Sequence, residues 1–339
     1  MDLLNQLQRD GSGKMSSPND YFNDVLPENK TWINDYLDDA EILGLTSRTI
    51  VNYRSCLKIF AQYVNKDLKT IDINDLKQFK KHLEKERKNR HGDNYSPKSI
   101  ERYFSAIQSF YEYMEFDEHI QTNPMNSFRK RYMKSFRRNK NDGKYKRQLI
   151  SVEQMSMLVN SIMDPRDKAV VLLYVKTGIR RNEGINIDIE DLDWVEQSIT
   201  LKSTPKRSNL IVFFDDETSR VLKRWLISRE NWNNNGTNAL FLNERGGRLN
   251  RNGVYEIFTK HAGRVGLHNP DSKRLKDRFT PHCARLWFTT HLRRRGMPRE
   301  HRMELRGDSR NQGIDHYEPI DRKELRESYL AHIPQLGVD

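Results

Sequence analysis

The sequence has little cysteine and no long hydrophobic run, and both shortages restrict what the chain can be. Cys56 and Cys283 are the only cysteines in 339 residues, too few for a disulfide framework or a cysteine-based zinc site. The longest obvious apolar run, 169–175, is much shorter than the roughly 18 residues that a membrane-spanning helix needs. The N-terminus lacks a charged start followed by an apolar core, so we see no secretory signal. We therefore expect a reducing, cytoplasmic setting and no membrane partner.

Several motifs that bind cofactors are also missing. There is no glycine-rich phosphate loop, no paired-histidine metal motif and no internal repeat of fixed period. Acidic residues cluster over 188–193, but this stretch lies at a predicted helix-to-strand junction, where capping and solvation explain it. A two-metal nuclease needs carboxylates on converging elements, and the sequence does not show that arrangement. We predict neither a metal site nor a cofactor.

The net charge of +12 is concentrated in one stretch in the middle of the chain. Residues 129–147 contain ten Lys or Arg and one acid, so they carry +9, and the other 320 residues carry only +3. A dense basic stretch with aromatic residues in and beside it favours contact with a polyphosphate through counterion release. A solvated flexible linker is equally compatible. The candidate phosphate contacts are Arg129, Lys130, Arg131, Lys134, Arg137, Arg138, Lys140, Lys144, Lys146 and Arg147.

The N-terminal part of the chain predicts a flexible leader, residues 1–30, followed by a small helical domain, residues 31–128. From Thr31 onward, apolar residues recur at helical spacing. Helix starts are predicted at Thr46 or Ser47, at Asp72 or Asn74, and at Ser96, where a proline follows at the first helical position. We expect four helices that bury their apolar faces against one another, with the basic linker 129–147 after them.

Residues 148–339 predict a second, mostly helical domain with a small sheet. Ser151–Gln154 has the pattern of a capping box. Two short runs, Ser198–Lys202 and Leu210–Phe214, are joined by turn-prone residues and predict a hairpin. Further helices are expected from Pro165 toward Lys176 and over Glu217–Arg229, Gly253–Val265, Pro281–Arg295 and Glu324–Ala331. The predicted fold class is mainly α with a small antiparallel β-sheet.

Polar residues in the second half of the chain are of the types needed to attack a phosphodiester through a covalent phosphotyrosine. Negative charge on the non-bridging oxygens of the transition state is stabilised by fixed arginines. The leaving oxygen needs a proton from a lysine or histidine, and a tyrosine nucleophile, with a free pKa of about 10, needs nearby cations that favour its phenolate. The candidates are Arg180, Lys202, His282, Arg285 and Tyr317, and Asp308 is a sixth member that does not fit this chemistry easily.

Taken singly, none of these residues indicates catalysis, but their order and spacing resemble the tyrosine recombinases, the family of phage-type integrases and Xer-type resolvases. Residues 177–183 resemble the box Thr-Gly-x-Arg-x-x-Glu, in which Arg180 is the first catalytic arginine and Glu183 supports it. Residues 201–207 resemble the hairpin lysine motif. That motif makes Lys202 the general acid and Lys206 the fallback, and Lys206 and Arg207 join the expected DNA contacts. Residues 280–285 resemble the His-x-x-Arg box, which contains His282 and Arg285.

Tyr317 follows Asp308 by nine residues, the spacing that the family uses between a late His or Trp and its nucleophile. Asp308 is a departure, since an ionised carboxylate cannot donate a hydrogen bond to the phosphate. It could hold Arg306 or a catalytic arginine, it could sit back from the phosphate while His316 compensates, or the enzyme could be impaired. The run Leu-Arg-Gly-Asp resembles archaeal members of the family, which makes impairment the least favoured account.

The resemblance covers about 31–330 and implies a site-specific recombinase built as a C-shaped, two-domain clamp on double-stranded DNA. Its N-terminal domain corresponds to the family's helical, SAM-like core-binding domain. Metal-free and ATP-free cleavage through a 3′-phosphotyrosine, assembly to dimers and tetramers on DNA, accessory DNA-bending partners and a nucleoid-associated location are the corresponding expectations. The helix Glu324–Ala331 could dock on a neighbouring protomer or pack at home. The alternatives are a DNA-relaxing enzyme of the type IB topoisomerase kind and a DNA-binding protein that has lost catalysis.

Overall fold

The computed structural model describes residues 22, 24–89, 92–133, 147–204, 207–233, 235–272, 274–308 and 320–338. The chain divides into two compact units, Met1–Asp142 and Gly143–Asp339. Within the described ranges, no helix combines the length and the apolar character that crossing a membrane requires.

The first unit is mainly helical in its described part, with one isolated antiparallel bridge between Lys88 and Asn94. Where a helix start was predicted, a polar side chain caps it: the Thr46 and Ser96 hydroxyls accept backbone N–H groups, and Asp72 forms a capping box with Asp75. The apolar stripes then face one core, in which Phe60, Phe104 and their neighbours are fully buried. The α-helices are α1 (Pro27–Ile42), α2 (Ser47–Val64), α3 (Ile73–Lys81), α4 (Pro97–Phe116) and α5 (Pro124–Tyr132).

Two features of this unit differ from the expectation. Helix α1 begins at Pro27, before Thr31, and Phe22 and Val25 are buried in the same core, so the end of the expected leader belongs to the domain. Helix α5 is an additional helix: Asn123 caps it and its Phe128 stacks on Phe104 at 5.0 Å between ring centroids. Its last turn contains the first three residues of the expected basic linker. The buried Phe128 holds this part of the chain in a helix, which the charge pattern alone did not indicate.

The second unit combines eight described α-helices with a three-stranded antiparallel sheet. The predicted hairpin is confirmed, with β2 (Ser198–Thr200) paired to β3 (Ile211–Phe213), and β1 (Leu192–Asp193) is an added edge strand. The predicted capping box of Ser151 and Gln154 is also present. The helices are α6 (Val152–Asn160), α7 (Pro165–Thr177), α8 (Arg181–Ile185), α9 (Asp216–Glu230), α10 (Arg251–Arg264), α11 (Pro281–Arg294), α12 (Arg299–Arg306) and α13 (Arg322–His332).

Helix α7 forms the centre of this unit. Its residues from Ala169 to Thr177 are buried all round, which accounts for the uninterrupted apolar run in the sequence. It packs against α9 and α11. Because α7 is held on all sides, the turn at its C-terminal end is a rigid base for the residues that follow.

Helix α13 packs on its own unit, one of the two alternatives given for it, and docking on a neighbouring protomer stays a prediction. Leu325, Tyr329 and Ile333 join Phe213 and Phe288 in a separate apolar cluster. The chain after α13 is also buried, with Leu336 and Val338 in the main core of the unit.

Candidate active site

The site begins at the tight turn that ends α7. Gly178 has the left-handed conformation, with φ of +61°, and its N–H donates to the Tyr174 carbonyl at 3.0 Å. A Cβ atom on Gly178 would lie 2.3 Å from the Phe288 ring on α11. The turn therefore requires glycine both for its backbone and for the close approach of α11, and it directs the chain into Arg180.

Arg180 precedes α8 and is held by Glu183 one turn later. One carboxylate oxygen of Glu183 accepts the Arg180 backbone N–H at 2.6 Å, and the other accepts its guanidinium Nη1 at 2.9 Å. The Glu183 side chain is 2% exposed, whereas that of Arg180 is 31% exposed. The buried acid thus fixes both the backbone and the charged end of a partly open arginine, as the supporting role predicted for Glu183 requires.

Arg285 reaches the same turn from α11. Its Nη1 donates to the Gly178 carbonyl at 2.6 Å and its Nη2 to the Arg306 carbonyl at 2.9 Å. The side chain is 8% exposed. Burial first, and then the positive charges of Arg180 and Arg306, lower the pKa of Arg285 to about 10. The residue stays protonated near neutral pH.

The C-terminal end of α12 supplies the acceptors around which the arginines gather. Helix ends leave carbonyls without intrahelical partners, and α12 ends at Gly307 with φ of +60°. The Arg306 carbonyl accepts from Arg285, from Arg207 Nη1 at 3.3 Å and from Arg180 Nη1 at 3.5 Å. The negative end of a helix dipole therefore faces a group of cations, which is its favourable arrangement.

Asp308 lies among the same arginines. Its Oδ1 is 3.2 Å from Nη2 of both Arg180 and Arg285, and its Oδ2 is 2.8 Å from Nε of Arg306. These ion pairs match the first of the three accounts considered for this residue. One carboxylate oxygen receives a donor from each of the two arginines expected to hold a phosphate.

The described cluster has more positive than negative charge. Four guanidinium groups, from Arg180, Arg207, Arg285 and Arg306, surround the two carboxylates of Glu183 and Asp308. The positive excess is accessible through Arg180, whose side chain is 31% exposed, and through Arg306, whose side chain is 33% exposed. Such a cluster is suited to bind an anion. Among the described residues, no three His, Cys, Asp or Glu side chains are grouped so that they could hold a metal ion.

His282 is exposed at the start of α11, one turn before Arg285. Desolvation by the surrounding protein lowers its pKa from the usual value, and the charges of Arg147, Arg285 and Arg306 lower it further. The imidazole is therefore neutral at physiological pH. A neutral ring can accept a proton at one nitrogen while it donates from the other.

Lys202 has different neighbours. Its Nζ lies 2.7 Å from Asp191 and 3.2 Å from Asp188, in the acidic stretch attributed above to capping. Hydrogen bonding to Asp191, followed by that to Asp188, raises the pKa of Lys202. Within the described ranges these are its ion pairs, so the structure does not bring Lys202 into the arginine cluster. This counts against its assignment as the general acid, and the fallback Lys206 lies outside the described residues.

Arg207 departs from its expected place among the DNA contacts. Its side chain is 0% exposed and it pairs with Glu183 at 3.1 Å, which is inconsistent with direct contact to an external phosphate. Burial lowers its pKa, and the pairing with Glu183 acts in the opposite direction. The burial of Arg207 could not be predicted from the sequence, because Arg207 stands beside Lys206 in a polar turn. Gly307 gave a partial sign, since a glycine after a helix marks free carbonyls.

Four Lys or Arg residues of the predicted basic stretch lie in the part of the chain that the structure describes. Lys130, Arg131 and Arg147 are exposed and Arg129 is half-buried, so these described members of the basic stretch are accessible. The other predicted members of the site and of the basic stretch lie outside the described residues: Tyr317, His316, Lys134, Arg137, Arg138, Lys140, Lys144 and Lys146.

Comparison with known proteins links both units to one family. The model of the phage integrase family matches residues 148–324, and the model of a SAM-like N-terminal domain of phage integrases matches residues 32–120. Tyrosine recombinase XerC of Herpetosiphon aurantiacus is 30% identical over 277 residues, which cover 78% of this chain and 82% of that protein. Tyrosine recombinase XerD of Listeria innocua is 25% identical over 89% of this chain and 100% of that protein.

Solved structures resemble the fold at lower identity. The integrase of the transposon Tn1549, in complex with circular intermediate DNA, has a TM-score of 0.65 at 16% identity and covers 87% of this chain and 98% of that chain. The recombinase XerH bound to its difH substrate has a TM-score of 0.58 at 21% identity and covers 82% of this chain and 78% of that chain. At these identities the likeness shows a common architecture.

Proposed function

We propose, since this chain belongs to the phage integrase family and is a tyrosine-type recombinase, that it cuts and rejoins double-stranded DNA through a covalent link to Tyr317. The observation that carries the proposal is the convergence of Arg180 and Arg285 on one anionic oxygen, Oδ1 of Asp308, at 3.2 Å from each. A non-bridging phosphate oxygen has the same charge and accepts the same donors.

The proposed first step is attack by the Tyr317 phenolate on the scissile phosphorus. The bond between phosphorus and the 5′-oxygen breaks, leaving a 3′-phosphotyrosine and a free 5′-hydroxyl. Arg180 and Arg285 stabilise the charge that builds up on the non-bridging oxygens, which is the largest effect available to such a site. Attack by the 5′-hydroxyl of another strand reverses the step and releases Tyr317, so the phosphodiester energy is conserved without ATP.

The leaving 5′-oxygen takes a proton in this scheme, and we assign that role to Lys206 in preference to Lys202. Lys202 is paired with Asp188 and Asp191, and its raised pKa makes it a weaker acid. The neutral ring of His282 is suited to hold the phosphate or to relay the proton of Tyr317. Lys206, from the same hairpin connection, is the remaining lysine of the motif.

Asp308 has a role in this proposal that suits the DNA-free protein. Three arginines repel one another, and the carboxylate offsets that repulsion while the site is empty. The scissile phosphate then replaces the carboxylate between Arg180 and Arg285. His316, the neighbour of Tyr317 in sequence, is a candidate for the donor role that an aspartate cannot fill.

The proposed substrate is duplex DNA bound by both units. The exposed Lys130, Arg131 and Arg147, together with the other basic residues of 129–147, would contact the backbone phosphates. Strand exchange between two sites requires four active sites, so we propose dimers that pair into tetramers on DNA.

One observation favours a second candidate, a protein of this fold that binds DNA without cutting it. The Asp308 carboxylate already occupies the position between the two arginines. If the phosphate did not displace it, Arg180 and Arg285 would be unable to stabilise the transition state. Cleavage, measured directly, distinguishes the two candidates.

The test is covalent capture. A duplex is selected from a random pool by repeated binding, and single nicks are then tiled along it so that cleavage releases a short 5′-hydroxyl fragment. We expect wild type to form a protein–DNA adduct that survives denaturation, and Tyr317→Phe to form none while it still binds. Binding without any adduct from wild type would sink the enzyme assignment. An adduct formed by Tyr317→Phe would sink the nucleophile assignment.

A plasmid assay then distinguishes recombination from simple relaxation. Wild type should recombine two copies of the selected site. A plasmid that lacks the site should stay supercoiled. Relaxation of both plasmids without exchange of flanking DNA would favour the topoisomerase alternative.

A further inference from the structure

We infer that Arg207 is a positioning residue that fixes Arg180 and Arg285 from inside the protein, and this inference rests on the proposed function. The arginine lies in the connection between β2 and β3, 24 positions after Glu183 and 98 positions before Leu305. Its guanidinium joins α8, the hairpin and the end of α12 at one buried point.

The contacts of Arg207 use all three of its guanidinium nitrogens. Nη1 donates to Glu183 Oε2 at 3.1 Å and to the Arg306 carbonyl at 3.3 Å, and Nη2 donates to the Leu305 carbonyl at 2.8 Å. Nε donates to the Asn209 carbonyl. A planar fork of donors can satisfy this set of acceptors together, whereas a lysine ammonium cannot.

Two short paths connect Arg207 to the arginines of the site. Through Glu183 it reaches Arg180, because the other oxygen of that carboxylate holds the Arg180 guanidinium at 2.9 Å. Through the Arg306 carbonyl it reaches Arg285, which donates to the same oxygen at 2.9 Å. A shift of either acceptor would therefore move a guanidinium that the reaction needs in a fixed place.

The chain leaves room for Arg207 at one glycine. A Cβ atom on Gly307 would lie 2.3 Å from Cγ of Arg207, and Gly307 has φ of +60°. The end of α12 thus lies directly against the stem of the arginine. This close packing argues that the position is built to hold Arg207 in one conformation.

A second buried arginine in the same unit provides a matched control. Counted over the whole residue, Arg229 and Arg207 are each 7% exposed, and Arg229 donates to the carbonyls of Thr237 and Ala239. These hydrogen bonds involve none of the residues of the arginine cluster. Replacing Arg229 removes a buried guanidinium and leaves its carbonyl acceptors without that donor. It therefore reproduces the loss of buried guanidinium–carbonyl hydrogen bonds that the Arg207 replacement also causes.

The experiment measures single-turnover cleavage, DNA affinity and melting temperature for Arg207→Met and Arg229→Met on the selected nicked duplex. We expect Arg207→Met to cleave about 100-fold more slowly than wild type, because small misplacements of catalytic groups cost rates of this order. Its affinity for the intact duplex should stay within about twofold and its salt dependence should not change, since it loses no phosphate contact. Arg229→Met should lower the melting temperature and leave the cleavage rate unchanged.

The outcomes that overturn the inference are distinct from failure of the proposed function. If wild type gives no adduct, the function itself fails. If wild type cleaves and Arg207→Met cleaves at the rate of Arg229→Met, Arg207 is only structural. A loss of affinity with a salt slope smaller by about 1 would instead show a direct phosphate contact.

Arg207→Lys covers the case in which Arg207→Met does not fold. It keeps a cation opposite the buried Glu183 but cannot reach the three backbone carbonyls together, so we expect cleavage about tenfold below wild type at unchanged affinity. Wild-type cleavage by Arg207→Lys would show that charge alone suffices, and the inference would fall.

Discussion

Two of the clusters of buried charge in the second unit differ in balance and in access. In the arginine cluster, four guanidinium groups face two carboxylates, and Arg180 is 31% exposed. In the other cluster, Lys176 is 0% exposed and donates to Asp215 and Glu217 at 2.5 Å and to the Pro334 carbonyl at 2.7 Å. The first has unused positive charge at the surface, and the second has none.

The lysine cluster joins elements of one unit. Both oxygens of Glu217 accept the Leu336 N–H, and one also accepts that of Val338. Burial acts to raise the pKa of Glu217, but Lys176 and these backbone groups lower it overall. The helix α7, the start of α9 and the end of the chain are thereby tied together. Buried charge therefore forms a candidate anion site where positive charge is in excess and accessible, and it ties elements together where it is enclosed.

Among all the variants, Arg285→Ala should cause the largest loss of cleavage. One of the two donors to the anion position is lost, so we expect cleavage to fall by about 10³-fold, as for loss of a donor that stabilises transition-state charge. Single-turnover adduct formation measures it, with Arg229→Ala as the control. A fall of less than tenfold would show that the excess charge of the cluster does not act on the phosphate.

Lys176→Met should give the largest effect on stability. Two carboxylates stay buried without their cation, and breaking a buried pair in this way costs about 3–5 kcal/mol. Denaturant unfolding measures the loss, with the exposed Lys323→Met as the control. At a temperature where the variant is folded, its cleavage rate should equal that of wild type. A specific loss of cleavage would remove the distinction drawn between the two clusters.

Local patterns predicted much of the fold, and for physical reasons they predicted less of the two clusters. Helix starts at Ser96 and Ser151 depend on residues within one turn, so the sequence displays them. The pairing of Arg180 with Glu183 is equally local. Arg207 and Leu305 are 98 positions apart, and Lys176 and Pro334 are 158 apart. Periodicity carries no information about such contacts, and the family resemblance points to catalytic residues rather than to the groups that hold them.

Asp308→Asn probes the charge excess without any DNA. Loss of the carboxylate leaves four guanidinium groups with Glu183 as the remaining acid of the cluster, and because the lost pairs are partly solvated we expect a loss of stability of only about 1 kcal/mol. Sulfate should restore the lost stability, since an anion that binds the folded state stabilises it. Melting temperatures in sulfate and in chloride of equal ionic strength measure the effect. Equal sulfate shifts for wild type and variant would show that Asp308 does not occupy the anion position.

His282, one turn before Arg285, should make both stability and cleavage depend on pH. Its folded pKa lies below the ordinary 6.5, so the unfolded chain binds the proton more readily. The contribution of His282 to stability is therefore fully present above pH 6.5, and it declines as the pH falls toward the folded pKa. The cleavage rate should be level from pH 7 to 8 and fall only at a pH below 6.5, where the neutral ring of the folded protein takes up a proton. His282→Gln should remove that fall, and a fall that persists would assign it to another group.

Lys202→Met should give the smallest effect, because Lys202 belongs to neither cluster. Its pairs with Asp188 and Asp191 are partly exposed, and such pairs contribute at most about 1 kcal/mol. We expect cleavage within about threefold of wild type, whereas Lys206→Met should lose about 100-fold, in the range of general-acid catalysis.

A substrate with sulfur in place of the 5′-bridging oxygen decides which lysine gives the proton. A thiolate leaves without protonation because thiols are far more acidic than alcohols. The modified substrate should therefore restore cleavage to the variant that lacks the acid, and we expect that variant to be Lys206→Met. If sulfur rescues Lys202→Met instead, the contacts of Lys202 with Asp188 and Asp191 must break when DNA binds, and the lysine must move into the arginine cluster.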